Sequence, residues 1–119
     1  MTEKGARGLR RLWLAGCNSI RGVGAVWSSE EAFRQEVLLL AAAVPAAFWL
    51  TADAVERVLL VASVVLVLLV ELLNTAVEVT VDRIGREHHE LSGLAKDIGS
   101  AAVLLSLCPA AFVWLTILL

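Results

Sequence analysis

The chain has 119 residues, of which 59% are hydrophobic and only 18% charged, and its net charge is −2. That balance excludes an ordinary soluble domain and offers nucleic acid no basic footprint. Size and the lack of Gly-x-x-x-x-Gly-Lys and Gly-x-Gly-x-x-Gly runs exclude a soluble-type nucleotide fold.

Residues 6–27 repeat at helical spacing. Leu9, Leu12, Trp13, Gly16, Ile20, Val23 and Trp27 share one stripe, while Arg7, Arg10, Arg11, Asn18 and Arg21 occupy other faces. This is the pattern of a helix lying in a membrane interface, with tryptophans at headgroup level; a helix packed on another part of the protein would show it too. Glycines and arginines interrupt the first 36 residues, so they do not read as a cleavable signal peptide. Ser28 or Ser29 offers an N-cap for the next helix, with Glu30 and Glu31 in its first turn.

A first span is expected at about 30–51, where residues 37–52 carry no charge and Pro45 sits inside the run. A second, at about 54–84, is apolar except for one stripe: Glu71, Asn74, Thr75, Glu78 and Asp82. Seven helical positions return to within about 20° of the starting direction, so Glu71 and Glu78 share a face, roughly 10 Å apart along the axis. A carboxylate at membrane depth faces protein or water rather than lipid, and marks a functional site by default.

The stretch 82–97 is the most polar, with Gly85 as a terminator and Ser92 as a start signal for a third span at about 93–118. Glu87, His88, His89 and Glu90 match no zinc-ligand spacing, since adjacent histidines diverge on a helix. Residues 98–119 are free of charge and long enough to cross a bilayer. Cys17 and Cys108 form no Cys-x-x-Cys pair and are expected to be small buried thiols rather than a disulfide. Nine of the ten basic residues fall before the first span or between the second and third; only Arg57 lies in the 51–57 turn. The positive-inside rule then puts the N-terminus and the 82–97 loop in the cytoplasm. We read residues 1–119 as one all-α membrane domain.

The chemistry-bearing residues therefore gather at one membrane edge: Glu30, Glu36, Glu71, Glu78, Asp82 and Asp97, with Arg11, Arg34 and Lys96. Carboxylates that hold magnesium supply one or two oxygens and leave the rest to phosphates and water, and Glu30 and Glu78 suit that role. Glu71, about two turns deeper, suits a general base working near neutrality, or else a structural glutamate paired across helices.

Four blocks in this sequence, Glu30-x-Ala-Phe-Arg-Gln-Glu36, Val70-Glu71-x-Leu-Asn74-x-Ala-x-Glu78, Val81-Asp82-Arg-Ile-Gly85 and His89-Glu-Leu-Ser-Gly93-x-Ala-Lys96-Asp97-x-Gly-Ser-Ala-Ala-Val103, resemble the prokaryotic integral-membrane diacylglycerol kinases. The resemblance runs from about residue 11 to 103, with the blocks in order and in register. It implies a homotrimer of three-span subunits in the bacterial inner membrane, transferring the ATP γ-phosphoryl group to diacylglycerol and making phosphatidic acid. It implies Glu71 as catalytic base and Glu30 and Glu78 as Mg²⁺ ligands. Those two, with Arg11, Asn18, Glu87, His88, His89, Lys96 and Asp97, fall where the family contacts ATP. Near the lipid substrate it implies Arg11, Ala15, Ser19, Trp27, the run Ala32, Phe33, Arg34, Gln35 and Glu36, then Trp49, Arg57, Asn74 and Ser100, beside Glu71 itself. The sequence departs from the family at Asn18, where one branch carries Tyr, and at Gly24 and Leu94, where basic residues are common. Rival readings are the same transfer to a polyprenol such as undecaprenol, a small proton-coupled exporter built around one buried glutamate, and a non-catalytic assembly subunit.

Overall fold

The computed structural model describes residues 3–119, with side-chain surroundings for residues 5 and 7–119. Four helices follow one another: α1 (Glu3–Ser29), α2 (Glu31–Leu50), α3 (Ala54–Ile84) and α4 (Glu90–Leu118). The last three are long and apolar enough to cross a membrane. The chain forms two compact units, one ending at Glu31 and the other spanning Ala32–Leu119.

In the first unit α1 runs without a break through the serines expected to cap the next helix. Ser28 Oγ donates back to the Gly24 carbonyl at 3.0 Å, and the Glu30 N–H donates to the Val26 carbonyl at 2.8 Å. Both serines lie within α1, whereas an N-cap has non-helical backbone, so neither serine starts α2. The break falls at Glu30 instead, and Glu31 opens α2.

In the second unit α2 and α3 are joined by a turn that satisfies several helix-end groups. Asp53 caps α3, its carboxylate accepting from Val55 N at 2.8 Å and Glu56 N at 3.1 Å. Arg57 reaches back to the end of α2: Nε donates to the Thr51 carbonyl at 2.8 Å and Nη2 to the Phe48 carbonyl at 3.0 Å. Its guanidinium also lies 4.5 Å over the Phe48 ring.

Helices α3 and α4 pack antiparallel, and three polar contacts set their register. Trp114 Nε1 donates to the Leu60 carbonyl at 3.1 Å, Asn74 abuts Gly99, and Lys96 pairs with Asp82. Leu60, Val64, Val67 and Leu68 are buried on α3, and Phe33, Ala43 and Ala47 on α2. An open apolar groove of about 490 Å³ runs between Ala42, Ala43 and Ala46 of α2 and Ala110, Ala111 and Trp114 of α4.

Three further expectations change. Helix α4 starts at Glu90, not near residue 93, because His89 rather than Ser92 is its cap: His89 Nδ1 accepts from Leu91 N at 3.1 Å. Gly85 does end α3, but in extended backbone that any residue adopts, so its lack of a side chain is not what stops the helix. Neither cysteine is in a core. Cys17 is half-buried and Cys108 exposed, its Sγ 3.7 Å from the Leu104 carbonyl. A thiol on the outer face of a membrane-length helix needs no protein core to be shielded from water.

Candidate functional site

Period 3.6 on α3 places Glu71, Asn74 and Thr75 on the face turned into the protein, and all three are buried. Thr75 Oγ1 donates to the Glu71 carbonyl at 3.0 Å, which holds its hydroxyl on the helix. Asn74 Nδ2 donates to Glu78 Oε1 at 3.3 Å, one turn on, where the surface begins to open. Asn74 Oδ1 is buried without a hydrogen-bond donor among the described residues, and so is Glu36 Oε2 on α2. Glu36 and Glu71 are close enough to interact electrostatically. Two carboxyl groups from different helices, with an amide and a hydroxyl alongside, thus share one partly dry space. Burying such groups without full satisfaction costs stability, and native structures that tolerate it usually do so at working sites.

One turn further along, Lys96 Nζ donates to Asp82 Oδ1 at 2.8 Å. This pair stands at the edge of a small polar cavity of about 250 Å³, lined by Asp82, Arg86, Glu87, His88, His89 and Lys96 among others. Acidic, basic and imidazole groups thus share one concave surface. The buried carboxyl pair and this cavity are joined along α3 by Glu78, which is half-buried.

Of the residues singled out from sequence, the second unit brings Glu36, Glu71, Asn74 and Glu78 together at the first place. It brings Glu87, His88, His89 and Lys96 together at the second. Asp97 and Ser100 are exposed on α4; Ala32 and Gln35 are exposed, Arg34 half-buried and Phe33 buried on α2. Trp49 is exposed near the opposite end of α2, and Arg57 is engaged in the 51–53 turn, at the far end of α3 from Glu78. In the first unit Arg11, Ala15, Asn18, Ser19 and Trp27 are exposed along α1, with Ser19 Oγ donating to the Ala15 carbonyl at 2.8 Å, and Glu30 is half-buried. Among the described residues no three His, Cys, Asp or Glu side chains cluster as a metal site.

Two residues of this region escaped sequence reasoning. Arg86 lines the polar cavity, although only its charge, shared with nine other basic residues, marked it. Gly99 touches Asn74 and was visible only as a glycine inside a recognised block.

The comparisons agree with one another. The family model for prokaryotic diacylglycerol kinase matches residues 17–118. A diacylglycerol kinase of Escherichia coli (strain K12) is 51% identical over 111 residues, covering 93% of this chain and 91% of that protein. One from Pseudomonas aeruginosa is 47% identical over 116 residues, covering 98% and 94%, and one from Haemophilus influenzae is 48% identical over 96 residues, covering 81% of each. A kinase with three membrane-length helices, a buried carboxyl pair and a charged cavity beside it, this chain belongs to the prokaryotic diacylglycerol kinase family.

Proposed function

We propose that this protein transfers the γ-phosphoryl group of ATP to the free hydroxyl of diacylglycerol, yielding phosphatidic acid and ADP at the cytoplasmic face of a bacterial inner membrane. The observation that carries the reading is the juxtaposition on α3: a buried acid-and-amide face that passes within two turns into an open, charged cavity. A lipid alcohol and a nucleotide differ in the phase they occupy, and an enzyme joining them needs that gradient.

Depth supports the reading. Glu71 stands 17 residues from Ala54, about 26 Å along α3, and Glu36 stands 14 residues from Leu50, about 21 Å along α2. With the 51–53 turn at the outer boundary of a hydrocarbon layer about 30 Å thick, both carboxyls lie just short of the inner boundary. Diacylglycerol carries its hydroxyl close to that level. The distribution of basic residues supports a cytoplasmic N-terminus and 82–97 loop under the positive-inside rule, and the amphipathic pattern of residues 6–27 supports an interfacial helix.

Glu71 takes the hydroxyl proton as the alcohol oxygen attacks the γ-phosphorus, and the bond from that phosphorus to the ADP oxygen breaks. Asn74 holds the Glu78 carboxylate through its NH₂. Lys96 and Arg86 face the phosphates; Lys96 leaves an exposed partner, Asp82, to do so, and an exposed pair resists weakly. The family resemblance assigns Arg11 and Asn18 to the nucleotide as well. The donor set suits Mg²⁺: Glu30 and Glu78 offer hard carboxylate oxygens, and the absence of a three-ligand cluster among the described residues fits an ion that keeps water and phosphate in most of its positions. Bound by these carboxylates, Mg²⁺ would supply positive charge to offset the charge that develops during transfer. The active form is a homotrimer in which a neighbouring copy supplies or supports Glu30.

The test uses purified protein in mixed micelles with labelled ATP, Mg²⁺ and either dioleoylglycerol or undecaprenol. Dioleoylglycerol is expected to be the better acceptor, and Glu71→Gln to lower turnover at least about 100-fold. Faster labelling of undecaprenol overturns the acceptor, and near-normal turnover by Glu71→Gln overturns the base.

A further inference from the structure

Gly99 is buried on α4 directly opposite Asn74. A Cβ there would overlap Asn74 Oδ1, and would also sit 3.3 Å from Asn74 Cγ and 4.0 Å from its Cα. The obstacle is therefore the whole short side chain as well as its tip. We propose that Gly99 is a positioning residue of the transfer site: its missing side chain leaves the slot that holds the Asn74 amide, and through that amide it orients the Glu78 carboxylate. The inference rests on the phosphoryl-transfer reading given above.

The orientation of the amide follows from its two neighbours. Glu78 is an acceptor when ionised, so the end of the amide facing it must be the NH₂, and the bond from Nδ2 to Oε1 is 3.3 Å. Oδ1 is then left towards α4, facing Gly99. The hydrogen on Gly99 that occupies the Cβ direction points at that oxygen, a weak C–H···O contact in place of a conventional donor. With a methyl group at 99 the amide has to rotate out of the slot, or α4 has to retreat. Either movement takes the NH₂ off Glu78. Asn74 is a short side chain in a buried place, so no long flexible arm absorbs the change.

A glycine in the middle of a helix is otherwise a poor choice, because alanine is the better helix former. That preference makes the inference testable by a double-mutant cycle with Gly99→Ala, Asn74→Ala and both together. In Gly99→Ala the turnover is expected to fall about tenfold or more and the half-saturating Mg²⁺ to rise, while the KM for dioleoylglycerol stays within about threefold. In the Asn74→Ala background the same glycine substitution is expected to cost no further turnover. Thermal unfolding in detergent gives an arm that needs no substrate: Gly99→Ala lowers the midpoint when Asn74 is present and raises it when residue 74 is alanine. A Gly99→Ala protein that fails to fold, with a double variant that does fold, supports the same steric coupling. Losses that multiply across the two sites, or a midpoint shift of the same sign in both backgrounds, overturn it. Should the wild type not phosphorylate dioleoylglycerol, the acceptor assignment falls, and the unfolding arm still decides the role of Gly99.

Discussion

Lys96 Nζ lies 2.8 Å from Asp82 Oδ1, and both side chains are 44% exposed. An ion pair so wetted contributes little to stability, because water competes for both charges and two long side chains lose rotamer freedom. On the proposed phosphoryl-transfer reading, the pair is a holding position for a cation whose other partner is a phosphate. Asp82→Asn is therefore expected to leave the unfolding midpoint without a measurable shift while changing the KM for ATP, as read by labelled-ATP kinetics. A clear drop in midpoint with unchanged KM would assign the pair a purely structural role. Residues a few turns deeper obey a different balance. Glu36, Glu71 and Asn74 have little water to compete with, so each contact they make or lack matters more. That contrast was partly legible in the sequence: an acidic stripe in an apolar run announces buried carboxylates, whereas the facing of Glu36 and Glu71 depends on how α2 docks.

Helix ends carry the next level of information, and here chain chemistry and tertiary context diverged. Asp53 caps α3 in the way its residue type suggests. His89 caps α4 although histidine is not a preferred capping residue, and Ser92, which is preferred, lies inside the helix. His89 also lines the polar cavity beside residues 85–93. This gives His89 two separable roles. His89→Ala is expected to cost about 1 kcal/mol of stability through the lost cap, and His89→Asn, a strong capping residue, to restore it. Restoration of the KM for ATP along with stability would mean that the imidazole acts by holding α4; a KM that stays high in the stable Asn variant would mean that it touches nucleotide. Unfolding and kinetics on the same two variants distinguish these. At the opposite end of the second unit, Arg57 ties α2 to α3 through two carbonyls, and truncation there is expected to loosen the turn.

For the molecule as a whole, exposure is the deciding quantity. The most apolar windows of α2 and α4 are only 17% and 6% buried within the chain, against 39% for α3. Lipid covers apolar side chains well, but it cannot serve the polar face that begins at Glu71, and a single copy has few helices with which to seal it. Self-association is the economical answer, and the alanine-lined groove between α2 and α4 leaves room for close helix approach. Light scattering of the protein in detergent, corrected for bound detergent, is expected to give three copies per particle, with activity lost on dilution into monomers. Full activity in a monodisperse monomer would contradict the shared-site reading.

Apolar runs at helical period by themselves determined that the described chain is helical and that three helices are long and apolar enough to cross a bilayer, and four motif blocks carried the family resemblance. These are legible locally because period 3.6 and hydropathy act within a single segment. Tertiary structure alone decided that Glu36 meets Glu71, that Gly99 leaves a slot for Asn74, and that His89 rather than Ser92 begins α4. Those outcomes depend on which face of one helix presses on another, and the free energy of such packing belongs to pairs of distant segments rather than to any one of them.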